Sequence, residues 1–249
     1  ISIFYFNKKN KLFYLFILIF ILSEALIFLS GDRSSFFFIN LSALFVIIFS
    51  KNLLKLRLIT LFSSILLLVI ISFINPVAKE RVFDKTFDQM NLGDQKSGVY
   101  IFSIQHTHHY ITSYRMFLDN KILGVGVKNF RNFCKEEKYT VSKYSCTSHP
   151  HNTYIQILSE TGIIGFLFLL TTLFYFCRYS LKHLILRFKG KNYFNDFEIC
   201  LLSGIAIYLW PFIPTGNAFN NWLNIIMILN FPLLIWSRKS IKSQKMYIK

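Results

Sequence analysis

Acidic side chains are scarce in this chain, with 12 Asp and Glu against 28 Lys and Arg over 249 residues. Well inside its long apolar runs only Glu24 and Glu160 occur, too few intramembrane charges to mark out the path of a transporter. No basic groove interleaved with aromatics lies outside those runs. Nucleic-acid binding, the usual reading of a pI near 9.7, is therefore not what the charge is for. There is no His-Glu-x-x-His spacing, no internal repeat and no low-complexity linker. No signal-peptide pattern stands apart from the first apolar run, and the chain opens at Ile1. It reads as the C-terminal part of a longer membrane protein.

What is present is hydrocarbon. Hydrophobic residues make up 53% of the chain, 29 of them Phe, and several apolar runs approach the length needed to cross about 30 Å of bilayer. The expected fold is an all-α integral membrane protein, a single membrane domain over residues 1–249. Six spans are expected: Lys11 to Ser30, Ser35 to Ser50, Leu56 to Asn75, Thr153 to Cys177, Phe197 to Thr215 and Trp222 to Ser237. Pro211 and Pro214 are expected to kink the fifth near its outer end.

Orientation follows from the cations. Lys8 to Lys11, Lys51 to Arg57, Arg178 to Lys191 and Arg238 to Lys249 hold 16 of the 28 Lys and Arg, with only Asp196 and Glu198 among nearby acids. The positive-inside rule puts all four segments in the cytoplasm, and an even number of spans puts them on one side. The net charge of +16 is then mostly an orientation signal. Outside remain the turn Gly31 to Ser34, one long loop over residues 76–152, and the turn Gly216 to Asn221. Within the loop, Ile104 to Leu123 is expected to form one or two amphipathic helices, ended by Leu123-Gly124-Val125-Gly126. Cys134 and Cys146 share this loop and are free to pair in an oxidising compartment, whereas Cys177 and Cys200 fall near the cytoplasmic side.

Chemistry-bearing residues collect on the external face. His149-Pro150-His151-Asn152 sets a titratable pair where the fourth span meets water. Asn152, Gln156 and Glu160 follow at spacings of four, one polar stripe on a helix face of the kind that usually lines a cavity. Arg33 opens the second span, where an unpaired guanidinium drawn to the bilayer centre would cost about 2.5 to 3.5 kcal/mol. It needs a headgroup, an acid or a diphosphate. Arg115 lies among Tyr110, Tyr114, Met116, Phe117 and Leu118, an apolar helix body. His106, His108 and His109 with His149 and His151 supply enough imidazole for a zinc site on paper, but adjacent His108 and His109 suit one tetrahedral centre poorly.

His151-Asn152, followed after nine residues by Gly162-Ile163-Ile164-Gly165, resembles the signature of the bacterial O-antigen ligase and O-antigen polymerase family. The Ser30-Gly31-Asp32-Arg33 start of a span and the Arg115 helix running into Gly124-Val125-Gly126 are similar to two further parts of that pattern, in the same order. The resemblance implies a metal-independent, inverting glycosyltransferase with no cofactor. Its donor would be an undecaprenyl-diphosphate-linked glycan and its acceptor lipid A core, another glycan lipid or a protein. It would sit multi-pass in the bacterial inner membrane with its site facing the periplasm. On that pattern Arg33 and Arg115 hold the diphosphate and His151 is the general base, with His149, Asn152, Gln156 and Glu160 as substrate contacts.

Overall fold

The structure is a computed structural model describing residues 11–90 and 103–247. The basic residues Lys8, Lys9 and Lys249, and residues 91–102 of the long loop, lie outside the described residues. Among the described residues every regular element is helical. The order is α1 (Lys11–Ser30), α2 (Arg33–Phe49), α3 (Leu54–Ile74), α4 (Pro76–Lys79), a π-helical turn (Glu80–Asp84), α5 (Lys85–Gln89), α6 (Ile104–Asp119), α7 (Phe130–Phe133), α8 (Thr153–Phe188), α9 (Asp196–Tyr208), α10 (Asn221–Ile228) and α11 (Asn230–Tyr247). Helices α3 and α8 are long and apolar enough to cross a membrane, and Tyr14–Ser30 within α1 and all of α2 are shorter apolar helices.

Local chemistry sets the boundaries. Asp32 caps α2 by accepting the backbone N–H groups of Ser34 and Ser35 at 3.1 and 3.2 Å, satisfying donors a first turn leaves orphaned. Helix α3 stops at Ile74 because Asn75 precedes Pro76, whose ring pushes the residue before it out of the helical region.

Prolines also correct two expectations. The fifth span, expected over Phe197 to Thr215, is helical only as α9, ending at Tyr208. Pro211 and Pro214 end the helix instead of kinking it, for want of N–H donors. The sixth, expected over Trp222 to Ser237, is two helices broken at Leu229. Pro232 cannot donate to Ile228 and falls in the first turn of α11, where that loss costs nothing.

The described residues group into two compact units: those of 11–84, 179–208 and 227–247 in the first, those of 85–90, 103–178 and 209–226 in the second. The first has a core of Phe28, Leu68, Ala78 and Val82. The basic ends of its helices converge. Asp196, at the start of α9, accepts from Ser50 Oγ at 2.6 Å and Asn52 Nδ2 at 2.8 Å and stands 3.9 Å from Arg57. Glu198 meets Arg238 at 3.5 Å, and His183 bonds the Phe49 carbonyl oxygen at 2.9 Å. An apolar cavity of about 340 Å³ lies among α1, α2, α3 and α9; its one guanidinium, Arg57, is turned to Asp196, and it offers no base for chemistry.

The second unit packs α6 over the loop that follows it. Met116, Phe130, Cys134 and Tyr139 are buried together, with Val125 and Phe133 against them, each fully buried side chain contributing about 1.5 to 3 kcal/mol. Cys134 and Cys146 form a disulfide, while Cys177 and Cys200 are free thiols.

Candidate functional site

In the second unit the fourth span is not one uninterrupted helix. Gly162 has φ 65° and ψ −162°, a conformation essentially restricted to glycine, so α8 is broken there. The break exposes main-chain groups that an intact helix would use internally, and the Lys121–Gly126 segment pairs with them. Val125 N–H donates to Ser159 O at 2.9 Å, Gly126 N–H to Glu160 O at 2.9 Å, and Ile163 N–H to Lys121 O at 2.8 Å. This backbone-on-backbone fit leaves no room for side chains. A Cβ on Gly162 would collide with the Ile122 carbonyl, and one on Gly124 with the main chain of residues 159–161. The signature glycine and the Gly-Val-Gly turn are thus two halves of one joint.

Glu160 completes the joint. Its carboxylate is buried and accepts Phe130 N–H at 2.9 Å, Lys128 N–H at 3.0 Å and Gln156 Nε2 at 3.1 Å. Hydrogen bonds to a charged group contribute about 1.5 to 3 kcal/mol each, so the carboxylate mounts the turn that carries α7. Gln156, equally buried, donates to Asn217 Oδ1 and accepts Ala218 N–H, both at 2.9 Å. Asn152 caps α8 by accepting Tyr154 and Ile155 N–H at 3.0 and 3.2 Å, and its Nδ2 donates to Pro211 O at 2.9 Å. The polar stripe read from the sequence is real. Its polar atoms are engaged with the loop on one side and the 209–220 segment on the other.

What this frame presents is His151. Among the described residues it is one of three non-glycine residues at positive φ, 59°, a region His tolerates better than most residues but at a cost of order 1 to 3 kcal/mol. Thr215 N–H donates to its carbonyl at 2.8 Å, and the Asn152 cap fixes the next residue. Three other imidazoles surround it. Ring centroids lie 4.1 Å away for His149, 5.3 Å for His106 and 5.6 Å for His109. Burial lowers the pKa of His151 below the ordinary histidine value. Burial, then the neighbouring His151, pushes His149 down to about 4, with the charge of Arg131 adding to the effect. Burial and the charges of His151, His106 and His108 push His109 down to about 4. At neutral pH His109 and His149 are thus uncharged neighbours of His151, whose own charged form burial disfavours.

His106 and His109 carried no role in the motif reading, yet both lie against His151. The available signal was their i, i+3 spacing on an amphipathic helix, which stacks them on one face. His108 points elsewhere, bonding Ser142 Oγ at 2.7 Å and stacking on Tyr144. Among the described residues no group of three His, Cys, Asp or Glu side chains is arranged to hold one metal ion.

The two arginines are placed differently. Arg115 follows His106 by nine residues on α6, half a turn around the helix; it is exposed and donates from Nη1 to Thr140 O at 2.9 Å, inside the disulfide-closed loop. Arg33 belongs to the first unit, half-buried in the first turn of α2. Gly31 beside it has φ 74°, and the stem of Arg81 packs over it, a Cβ there falling 3.0 Å from Arg81 Cδ.

Compared with known proteins, residues 15–170 match a family model described as O-antigen ligase. No curated protein and no solved structure matches the chain.

Proposed function

Since the chain belongs to the O-antigen ligase family, whose members act on lipid-linked glycans, we propose that it transfers a glycan from an undecaprenyl diphosphate carrier to an acceptor hydroxyl, lipid A core in the ligase case. The observation that carries this reading is the placement of the signature residue His151, held at positive φ against the rings of His149, His106 and His109. A neutral imidazole takes the proton of the attacking hydroxyl near pH 7. Attack opposite the diphosphate inverts the anomeric centre. The family pattern assigns Arg33 and Arg115 to the departing diphosphate; the fixed positive charge of a guanidinium does work done elsewhere by a divalent cation, and the reading requires no metal. Asn152, Gln156 and Glu160 serve by holding His151 and the turn around it, and His149 lines the acceptor side.

The chain is read as six-pass in the bacterial inner membrane, its basic segments cytoplasmic and its site facing the periplasm. Two observations support that topology. Residues of three basic segments, Arg57, His183 and Arg238, are drawn together around Asp196, Glu198 and the end of α2. The segment taken as external carries the disulfide, which belongs to an oxidising compartment. A lipid donor suits an interfacial site, because its tail stays in hydrocarbon while its diphosphate and sugars stay in water.

The test is transfer by His151→Ala and Arg115→Ala variants that remain in the membrane at wild-type levels. Both are expected to be inactive, and full activity in the His151 variant would refute the mechanism. Chelation is expected to leave the wild type active. A variant that translocates the lipid-linked glycan without transferring it would point to a transporter. Ligase and repeat-unit polymerase share this donor chemistry, and a deletion strain separates them. Single repeat units on lipid A core indicate a lost polymerase; lipid-linked polymer beside bare core indicates a lost ligase.

A further inference from the structure

The imidazole nearest in role to His151 is one the family signature does not include. His106 meets His151 edge to face, with ring planes at 83° and centroids 5.3 Å apart. Its Nδ1 lies 2.8 Å from the hydroxyl of Ser103, the residue that caps α6 and also accepts the His106 backbone N–H at 3.3 Å. The ring is tethered at one nitrogen while it lies against the signature histidine. A base whose orientation is set by a second group, itself held by a third, is the recurring arrangement for groups that must move a proton.

Resting on the glycan-transfer reading above, we propose that His106 is a positioning residue for His151, lying against its imidazole and receiving from it the proton taken from the acceptor. As the acceptor oxygen bonds to the anomeric carbon, its proton passes to one ring nitrogen of His151. The anomeric C–O bond breaks and leaves its electron pair on the diphosphate. His151 then carries two N–H groups, one of its protons passes to His106, and His151 is left neutral. From half-buried His106 the proton passes to water, so the net products are the new glycoside, the carrier diphosphate and one proton.

The surroundings explain why the proton must move on. The titratable groups against His151 are His106 and His109 from α6 and His149 from the loop, with Tyr110 behind His106, Arg131 of α7 acting on His149, and His108 turned away to Tyr144; the 209–220 segment contributes Thr215, which does not titrate. The buried carboxylate of this unit, Glu160, is committed to the loop amides. An imidazolium left on His151 would face other imidazoles and a guanidinium in a half-buried setting, where like charge and lost hydration both disfavour it.

The experiment uses the whole protein, reconstituted with a polyprenyl-diphosphate-linked glycan and its acceptor, in His106→Gln, His106→Phe and His106→Ala forms. His106→Gln keeps a polar side chain of similar reach against His151 but cannot relay a proton, so kcat is expected to fall about tenfold with donor KM unchanged and the acidic limb of the pH profile displaced. That loss is smaller than the roughly hundredfold or more expected for removing the base. Added imidazole is expected to restore the His106→Ala form, which a purely structural role would not allow. Wild-type kcat and pH profile in His106→Gln would overturn the proposal while leaving glycan transfer intact, provided His151→Ala is inactive. Activity in His151→Ala would instead overturn the transfer mechanism itself. If His106→Phe fails to accumulate, the Gln and Ala forms carry the test.

Discussion

Replacing Gly162 by Ala is expected to undo the joint between the broken helix and the Lys121–Gly126 turn. At φ 65° and ψ −162° a side chain is strained by about 1 to 3 kcal/mol before any contact is counted. The new methyl would also occupy the space of the Ile122 carbonyl and Gly124 N. Relieving that collision separates the strands of backbone and gives up the three hydrogen bonds among Lys121, Val125, Gly126, Ser159, Glu160 and Ile163, at about 1 kcal/mol each. The sum, roughly 4 to 6 kcal/mol, changes the docked population by about a thousandfold or more. The control is Gly190→Ala, at a positive φ of 77° with nothing within 4 Å of the added methyl, so that it carries backbone strain without a collision. Limited proteolysis of the purified protein and a glycan-transfer assay read the effect. Gly162→Ala should be cut within residues 120–131 and be inactive, and Gly190→Ala should leave that segment uncut and the protein active. A Gly162→Ala protein as protease-resistant and active as its parent would refute the account.

Reducing the Cys134–Cys146 disulfide, which closes a 12-residue separation, should cost on the order of 3 kcal/mol; a lower thermal midpoint and weaker transfer under reductant are expected, since Arg115 is anchored to Thr140 inside that loop. Glu160→Gln puts an N–H₂ group where two backbone N–H groups need acceptors, leaving a buried donor unsatisfied at about 1 to 3 kcal/mol; a melt indistinguishable from wild type would contradict the assigned role. His109 and His149 are held at about 4, below the ordinary value of 6.5. The unfolded chain therefore binds two protons that the native protein refuses between those pH values, and stability is expected to be full above pH 6.5 and to decline as pH falls toward 4. Thermal melts across that window check the sign, and stability that rises on acidification would show the histidines to be paired with acids instead.

The long apolar helices were legible because hydrophobicity alone defines them. Helix α1 ends at Ser30 as expected, and α2 and α3 fall within two residues of their expected limits. The two C-terminal spans were misread for an identifiable reason: averaging hydropathy across Pro211, Pro214 and Pro232 ignores that these residues withhold the N–H on which continuity depends. In the site, His149 and His151 stood out by their position at a helix entrance. His106 and His109 did not, since the contact with His151 is made across more than 40 residues of chain and depends on a tertiary joint. Glu160 was recognised as costly to bury, yet its partners, two main-chain amides, leave no trace in side-chain identity. Gly124 read as a helix breaker and Gly162 as part of a signature, and only their mutual approach reveals a single function.

The grip of Glu160 on amides has an evolutionary reading. A carboxylate that recognises the main chain at Lys128 and Phe130 is indifferent to most side chains placed around those positions. The exposed residues of that turn, Val127, Lys128, Arg131 and Asn132, can therefore be exchanged without loosening the attachment that keeps the turn in place. A transferase that meets different sugars could diversify this rim while leaving its base and its hinge of glycines untouched. Variation in glycan preference is then expected to concentrate on the rim, and a library randomised at those four positions is expected to yield folded proteins with altered preference more often than one randomised at 156–160.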